Sequence, residues 1–393
     1  MLTEKGHLDK EEDRNFHDVL KKIDLDTKWG GKYYDWILSP IKSNTKILSG
    51  KLINLDLSWL PIQILPRNFL SGLPNLKSIR LDNNPHIIFE NGCFDSCPSL
   101  IELKLQYCNL LKFPKNAFTR NSSIKELDIA NNPLQIMNEG DFNHLPRIEA
   151  LEISYTNISE LQPFCFKGLD NLTTLNLKNN NITAIRENSF QGLSALSLLD
   201  LRNNELTKFD ENSFTGLNNL AELRLDNNQI VILPNTIFSF LLKIECVSLV
   251  NNKFSSLERI FANLPNLVKI DLDTNLIEII ENKNFLNSPN LSHVLLQSNL
   301  IKEVELNTFD HLKNLEMLNI QNNPLNSRIA LDLPPQALFD YSTLINESNE
   351  KDLYDLITRY YTNTRFVDQI LDSEKASDKI IAFLRLLGYG SNS

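Results

Sequence analysis

Three stretches of this chain repeat one another: LTTLNLKNNNITAIRENSF (172–190), LSLLDLRNNELTKFDENSF (196–214) and LAELRLDNNQIVILPNTIF (220–238). Each starts 24 residues after the one before. Working outward, the same frame opens at Leu52, Leu76, Leu100, Ile124, Ile148, Leu172, Leu196, Leu220, Ile244, Leu267, Leu291 and Leu315, twelve times in all. Every interval is 24 residues except Ile244 to Leu267, which is 23. The frame reads L-x-x-L-x-L-x-x-N-x-L, and twelve copies in register are not a chance match.

The spacing carries a mechanism. Alternation within Leu172-x-x-Leu175-x-Leu177 predicts a short strand with Leu175 and Leu177 facing inward. One repeat cannot bury its leucines alone, so successive strands must stack in parallel and cover one another. The ninth position is Asn84, Asn132, Asn180, Asn204, Asn228, Asn252, Asn275, Asn299 and Asn323 in nine repeats. A buried amide there can satisfy backbone groups where the chain turns, which an apolar side chain cannot. Cys108 and Thr156 hold this place in two repeats, so Cys108 reads as a structural substitute. Leu60, in the first repeat, has no hydrogen to donate.

A second ladder comprises Phe94, Phe118, Phe142, Phe166, Phe190, Phe214, Phe238, Phe261, Phe285 and Phe309, with Leu70 and Leu333 at the equivalent places near the ends. Regularity of this kind predicts core packing on the side opposite the strands. The residue missing from the ninth repeat falls between Leu257 and Phe261, where it shortens that side and spares the strand.

The pattern resembles the 24-residue class of leucine-rich repeats. That class occurs in Toll-like receptor ectodomains, in small extracellular proteoglycans and in proteins that intracellular bacteria inject into host cells. The resemblance covers Leu52 to Leu333. It implies an α/β repeat fold, a right-handed horseshoe solenoid with a parallel sheet on its concave face. The expected organisation is an N-terminal cap at 1–48, a solenoid at 49–333 and a C-terminal helical cap or tail at 334–393.

The ends carry their own patterns. Asp9 and Glu12 offer a capping box, and Phe16, Val19, Leu20 and Ile23 share one helical face. Trp29, Tyr33, Tyr34 and Trp36 follow and are expected to dock on the first repeat. Beyond Pro334-Pro335, three amphipathic stripes predict short helices. They are Leu353, Leu356, Ile357 and Tyr360, then Phe366, Val367, Ile370 and Leu371, then Ile380, Ile381, Leu384 and Leu387, stopped by Gly388. They are expected to cover the last repeat, or to form a tail carrying a partner-binding or export signal.

Bulk properties narrow the function. The net charge of -10 argues against a nucleic-acid binder and more weakly against an anionic-membrane binder. No secretory leader and no apolar stretch of membrane-spanning length is visible; Ile380 to Leu387 is short and carries Arg385. The five cysteines are odd in number and none lies near an end, whereas the ectodomain families close their ends with disulfide-bonded caps. The expectation is therefore a reducing, cytosol-like compartment, with export into a host cell by a route needing no cleavable leader. Six N-x-[ST] triplets stand among 50 asparagines, about what chance supplies.

No catalytic residue, cofactor site or metal site is expected. The chain has no G-x-S-x-G, H-E-x-x-H or P-loop motif, and Cys93 and Cys97 lack a second ligand pair at zinc spacing. Some bacterial leucine-rich repeat effectors carry a ubiquitin-ligase domain with a catalytic cysteine after the repeats, but the last cysteine here is Cys246.

Binding is therefore sought on the alternating strand residues that face away from the core. Trp59, Tyr107 and Tyr155 occupy the eighth position, where most repeats have Asn. Arg80, Glu102, Lys104, Glu126, Asp128 and Glu152 run beside them, giving aromatics rimmed by charge. The plainer alternative is that the three rings pack on one another. A second region places Leu198, Cys246, Val250, His293, Leu295 and Met317 where polar residues usually stand, an apolar lane that marks an interface unless the C-terminal helices shield it. Lys178, Asp200, Arg202, Arg224 and Asp226 read as a solvated, weakly paired face. The functional expectation is a protein-interaction module that is monomeric when free and binds a protein partner on its concave sheet. Its expected setting is a secreted bacterial effector that holds or inhibits that partner. The alternatives are an extracellular receptor ectodomain or adhesin, and an adaptor whose C-terminal helices dock a second protein.

Overall fold

A computed structural model describes residues 24–25, 53–67, 70, 73–120, 122–325, 333–334, 337–338, 354–355, 357–358, 364–372 and 377–386. The chain folds into two compact units, 1–205 with 212–218, and 206–211 with 219–393.

In the first unit each repeat contributes one three-residue strand. They are Asn54–Asp56, Ser78–Arg80, Glu102–Lys104, Glu126–Asp128, Ala150–Glu152, Thr174–Asn176 and Leu198–Asp200. They pair in parallel without a register slip, Leu127 against Leu103 and Leu151, Leu175 against Leu151 and Leu199. The central residue of each strand is buried, and so is the leucine or isoleucine just after it. The flanking strand residues are open to solvent, apart from Asp200. The short strand follows from this: one apolar residue out of three faces the core, and the chain must then turn.

The ninth-position amide makes that turn possible. Asn132 donates through Nδ2 to the Leu105 carbonyl of the preceding repeat at 2.7 Å and to the Ile129 carbonyl of its own at 2.8 Å. Its Oδ1 accepts the amides of Cys108 and Leu110 at 2.9 and 3.0 Å. Asn204 bridges Leu177, Leu201 and Ile182 in the same way. Cys108 is buried, and its thiol donates to the Leu81 carbonyl at 3.2 Å. Burial pushes that thiol up to about 12, so it stays a neutral donor. At the other substituted place, the Thr156 hydroxyl bonds to Asn180 Oδ1.

Opposite the strands, Phe142, Phe166, Phe190 and Phe214 are fully buried and stack with centroids 6.2 Å apart. Strands in a sheet lie only about 4.8 Å apart. Each repeat of this unit is therefore a wedge, and the sheet lies on its narrow, concave side. A further ladder was not anticipated. The side chain at the last position of a repeat donates to the carbonyl one repeat back, as Ser123 does to Pro98 at 2.7 Å and Asn171 to Pro146 at 2.8 Å. The first unit also contains a strand at Asp24–Leu25, antiparallel to Ile62–Leu65. The capping-box helix and the aromatics at 29–36 lie outside the described residues.

The second unit repeats the design with strands Glu222–Arg224, Cys246–Ser248, Lys269–Asp271, His293–Leu295 and Met317–Asn319. Cys246 pairs with Lys269 and Val247 with Ile270, so the shortened ninth repeat leaves the strand register intact. Phe238 stacks on Phe261 at 5.8 Å and Phe285 on Phe309 at 5.9 Å. One more parallel strand, Ala337–Leu338, follows Met317–Asn319, so the sheet extends past residue 333, into the segment expected to be helical. Helices do follow, at Thr364–Leu371 and Asp378–Leu386, and they pack on each other. Val367, Ile370, Ile380 and Leu384 are buried, on the faces their spacing predicts. Most of the first predicted stripe lies outside the described residues, although Ile357 is buried.

Replacing Asn132 by Leu should strand two carbonyls and two amides, at a cost of roughly 3 kcal/mol or more. Cys108→Ala removes one weak thiol bond and should cost roughly 1 kcal/mol. Urea-unfolding midpoints of the two variants check this order; equal midpoints would show that the amide ladder does not hold the repeats together.

Candidate functional site: the concave face of the first unit

The eighth position of every repeat has a left-handed backbone. In the first unit φ is 63° at Trp59, 61° at Asn83, 54° at Tyr107, 58° at Asn131, 53° at Tyr155, 56° at Asn179 and 55° at Asn203. Asparagine tolerates this region because its short side chain bonds locally, whereas a bulky ring there is an outlier. The sequence pattern showed that the aromatics replace Asn; it did not reveal that the position demands positive φ.

The neighbouring amides form a chain of their own. Asn203 Nδ2 donates to Asn179 Oδ1 at 2.8 Å. Asn179 Nδ2 is buried and has no hydrogen-bond partner among the described residues, because Tyr155 stands where the next amide oxygen would be. All three aromatics thus sit on strained backbone, Tyr155 also costs a hydrogen bond, and their rings remain outside. Trp59 is 78% exposed, Tyr107 52% and Tyr155 57%. Among the described residues no ring of the three stacks on another. Asn83 and Asn131 intervene, so neighbouring rings stand about 10 Å apart at sheet spacing.

Beside this edge the open strand residues form two columns. One runs Ser78, Glu102, Glu126, Ala150 and Thr174; the other runs Arg80, Lys104, Asp128, Glu152 and Asn176. Lys104 bonds to Glu102 at 2.8 Å. That bond, with one from Ser78 at 2.7 Å, holds the Glu102 carboxyl below the usual range and raises the Lys104 ammonium. Arg80 pairs with Asp82 at 3.2 Å. Burial pushes the Asp128 carboxyl up, against the opposing pull of its hydrogen bond from Gln106. Asn176 donates to Glu152 at 2.7 Å. Where Ala150 replaces a longer side chain, the sheet carries a hollow of about 210 Å³, lined by Glu126, Asp128, Glu152 and Asn176 among others. The residues of the first predicted region thus share one face of one unit.

The second predicted region is not brought together in the same way. Leu198 lies on the last strand of the first unit, whereas Cys246, Val250, His293, Leu295 and Met317 belong to the second. Within the second unit the lane is broken, because Lys269 sits between Cys246 and His293, and Asp271 beside Leu295. His293 and Met317 do adjoin, and His293 Nδ1 shares a hydrogen bond with Ser292 Oγ at 2.8 Å. The expectation of a solvated face also fails at Asp200. It is buried under Arg202, which approaches to 2.5 Å, because the strand turns the two side chains onto each other.

Beside this lane, burial and then the nearby Asp271 raise the Asp273 carboxyl to about 6, against the bond from the Gln297 amide. Its folded value lies above its ordinary 3.8, so its stabilising contribution is full below about pH 4 and is lost as pH rises to about 6. Asp273→Asn should flatten thermal stability across that window, as read by midpoints at a series of pH values. For the aromatic edge, Tyr155→Asn should relieve the strained backbone and give Asn179 an acceptor. It is expected to stabilise the protein by about 1 kcal/mol, although it removes apolar surface. A lower unfolding midpoint would show that Tyr155 is held by contacts that favour it.

Among the described residues, no group of His, Cys, Asp and Glu is placed to hold a metal, and no helix is long and apolar enough to cross a membrane. The leucine-rich repeat pattern of known families matches residues 98–158, 146–206, 171–230 and 265–325. No curated protein sequence matches the chain. Solved structures do. A Toll–Spatzle complex of Drosophila matches with 24% identity over 67% of this chain and 35% of that one, at a TM-score of 0.63. A TLR13–ssRNA13 complex matches with 25% identity over 73% of this chain and 42% of that one, at 0.66. An octameric complex of Latrophilin 3, Unc5D and FLRT2 matches with 22% identity over 68% of this chain and 84% of that one, at 0.55. The chain thus spans 35–42% of the length of these two Toll-type structures. The repeat register, the parallel sheet and these likenesses agree: the chain is a leucine-rich repeat protein whose solenoid resembles those of Toll-like receptor ectodomains.

Proposed function

We propose that the concave face of the first unit binds a protein partner, with Trp59, Tyr107 and Tyr155 as its aromatic anchors. One observation carries this reading. Three large rings stand exposed on one sheet edge, on backbone that disfavours them, at a position where asparagine is the unstrained choice. Strain of this kind persists where the side chain has a use that stability does not reward. Rings of low conformational entropy beside charged groups are the composition of an interface centre. Arg80, Glu102, Lys104, Asp128 and Glu152 supply its polar surround.

A protein is favoured over a nucleic acid, because the carboxylates of this face outnumber its cations and would repel phosphates. The module acts by holding its partner, and the absence of any catalytic constellation in the sequence fits that role. The narrower setting we propose is a bacterial effector working as a monomer in a host's reducing cytosol, and of this the cysteines support the reducing compartment. All five are free thiols, four of them buried and Cys246 half-buried.

The test is affinity capture with the whole chain, compared with Trp59→Ala/Tyr107→Ala/Tyr155→Ala. The parent is expected to retain one partner that the triple variant releases, a loss of at least about 2 kcal/mol in affinity. Equal capture by a triple variant with an unchanged circular dichroism spectrum would remove the aromatics from the interface.

A further inference from the structure

We propose that the hollow over Ala150 receives a lysine or arginine side chain from an extended, basic segment of the partner. This rests on the reading of the same face as a protein-binding surface and specifies the chemistry of its occupant.

The geometry comes first. Ala150 stands in the column that carries Glu102 and Glu126, and its methyl group helps line an open hollow of about 210 Å³ in the sheet face. A long, thin side chain entering there would lie along the sheet face and reach the carboxylates at its rim. The charge comes second. Among the described residues, Lys104 is the one cation lining the hollow, and it is engaged by Glu102 at 2.8 Å. Lys125 lies outside the lining and bonds Glu149 at 2.6 Å. Glu126 has no side-chain partner among the described residues. Asp128 and Glu152 take hydrogen bonds only from neutral groups, including Gln106 and Asn176. Lys104 makes its ion pair with Glu102 and only draws on Asp128 from a distance, so three carboxylates on two adjacent strands face an open space without an ion-pair partner among the described residues. An ammonium has three donors for such a site, and a guanidinium has five.

The aromatic edge favours the same occupant. Tyr107 and Tyr155 belong to repeats that border the hollow, and their faces attract cations and cover aliphatic stems. An acidic chain of net charge -10 also steers basic partners toward it. An acidic or apolar segment would leave these carboxylates desolvated and unpaired.

Fluorescence anisotropy with the full chain tests this, using a labelled Ala-Lys-Ala-Lys-Ala-Lys-Ala peptide and its glutamate and glutamine counterparts. The lysine peptide is expected to bind at least about tenfold tighter than the glutamate peptide, and less tightly as salt is added. Ala150→Leu fills the hollow without changing charge, and Glu126→Gln/Glu152→Gln removes charge without filling it. Each should weaken the lysine peptide by about tenfold. Glu245→Gln/Glu316→Gln, the same change of net charge on the second unit, should alter it by less than about twofold. If Ala150→Leu fails to fold, the double glutamine variant decides. The proposal is overturned if the lysine peptide binds no tighter than the glutamate peptide, or if both first-unit variants bind it like the parent. It is overturned as well if another peptide binds instead and is lost in Trp59→Ala/Tyr107→Ala/Tyr155→Ala. In that last case the face remains a protein-binding surface and only the cationic occupant falls.

Discussion

The structure depends on one buried hydrogen-bonding group, the asparagine amide at the ninth position of the repeat. A strand of three residues ends almost as soon as it begins, and the backbone groups at its end are buried where no water reaches them. The amide has both donors and an acceptor, so one side chain satisfies carbonyls of its own repeat and of the preceding one, and an amide N–H one repeat back as well. This fixes the interval between repeats. It also explains the tolerated exceptions. Cys108 and Thr156 each retain a hydrogen to donate and meet part of the requirement. The leucines and phenylalanines then fill the space that the amides hold open.

A scaffold fixed so firmly on its inner side leaves its outer strand residues free to vary. The eighth position shows the limit of that freedom. Its backbone is left-handed in every repeat, set by the turn that the ninth-position amide stabilises. Asparagine there relaxes the backbone and links to its neighbour; tyrosine and tryptophan do neither. Where a residue contradicts local preference while the rest of the sequence agrees with it, the contradiction points to the surface on which selection acts.

Similar solenoids appear in complexes with quite different ligands, Spatzle in one and a single-stranded RNA in another. The fold alone therefore does not choose the ligand. In the first unit the exposed residues are aromatic at the edge and anionic toward the middle, the features on which the proposed cationic occupant rests. Among the described residues of the second unit, Lys269 and Asp271 interrupt the apolar residues.

The repeat frame, the buried faces of the strands, the amide and phenylalanine ladders and the place of the missing residue were all legible in the sequence. They follow from periodicity, and a side chain's direction in a strand depends only on its position in the period. The aromatic edge was legible as composition, because three rings at one repeat position stand out against asparagine. Its left-handed backbone was not legible, and neither was the unpartnered amide of Asn179, since both arise from hydrogen bonds between residues one repeat apart. The terminal ladder of Ser123 and Asn171 had a signal in its 24-residue spacing that resembled filler. The break in the apolar lane was legible as well, because the repeat frame places Lys269 at the same position as Cys246 and His293. The sequence by itself determined the scaffold, because each repeat states the same local requirement. Only the tertiary structure decided where Ala150 opens a hollow and which carboxylates around it make no ion pair, because those depend on contacts across strands that the periodicity leaves unspecified.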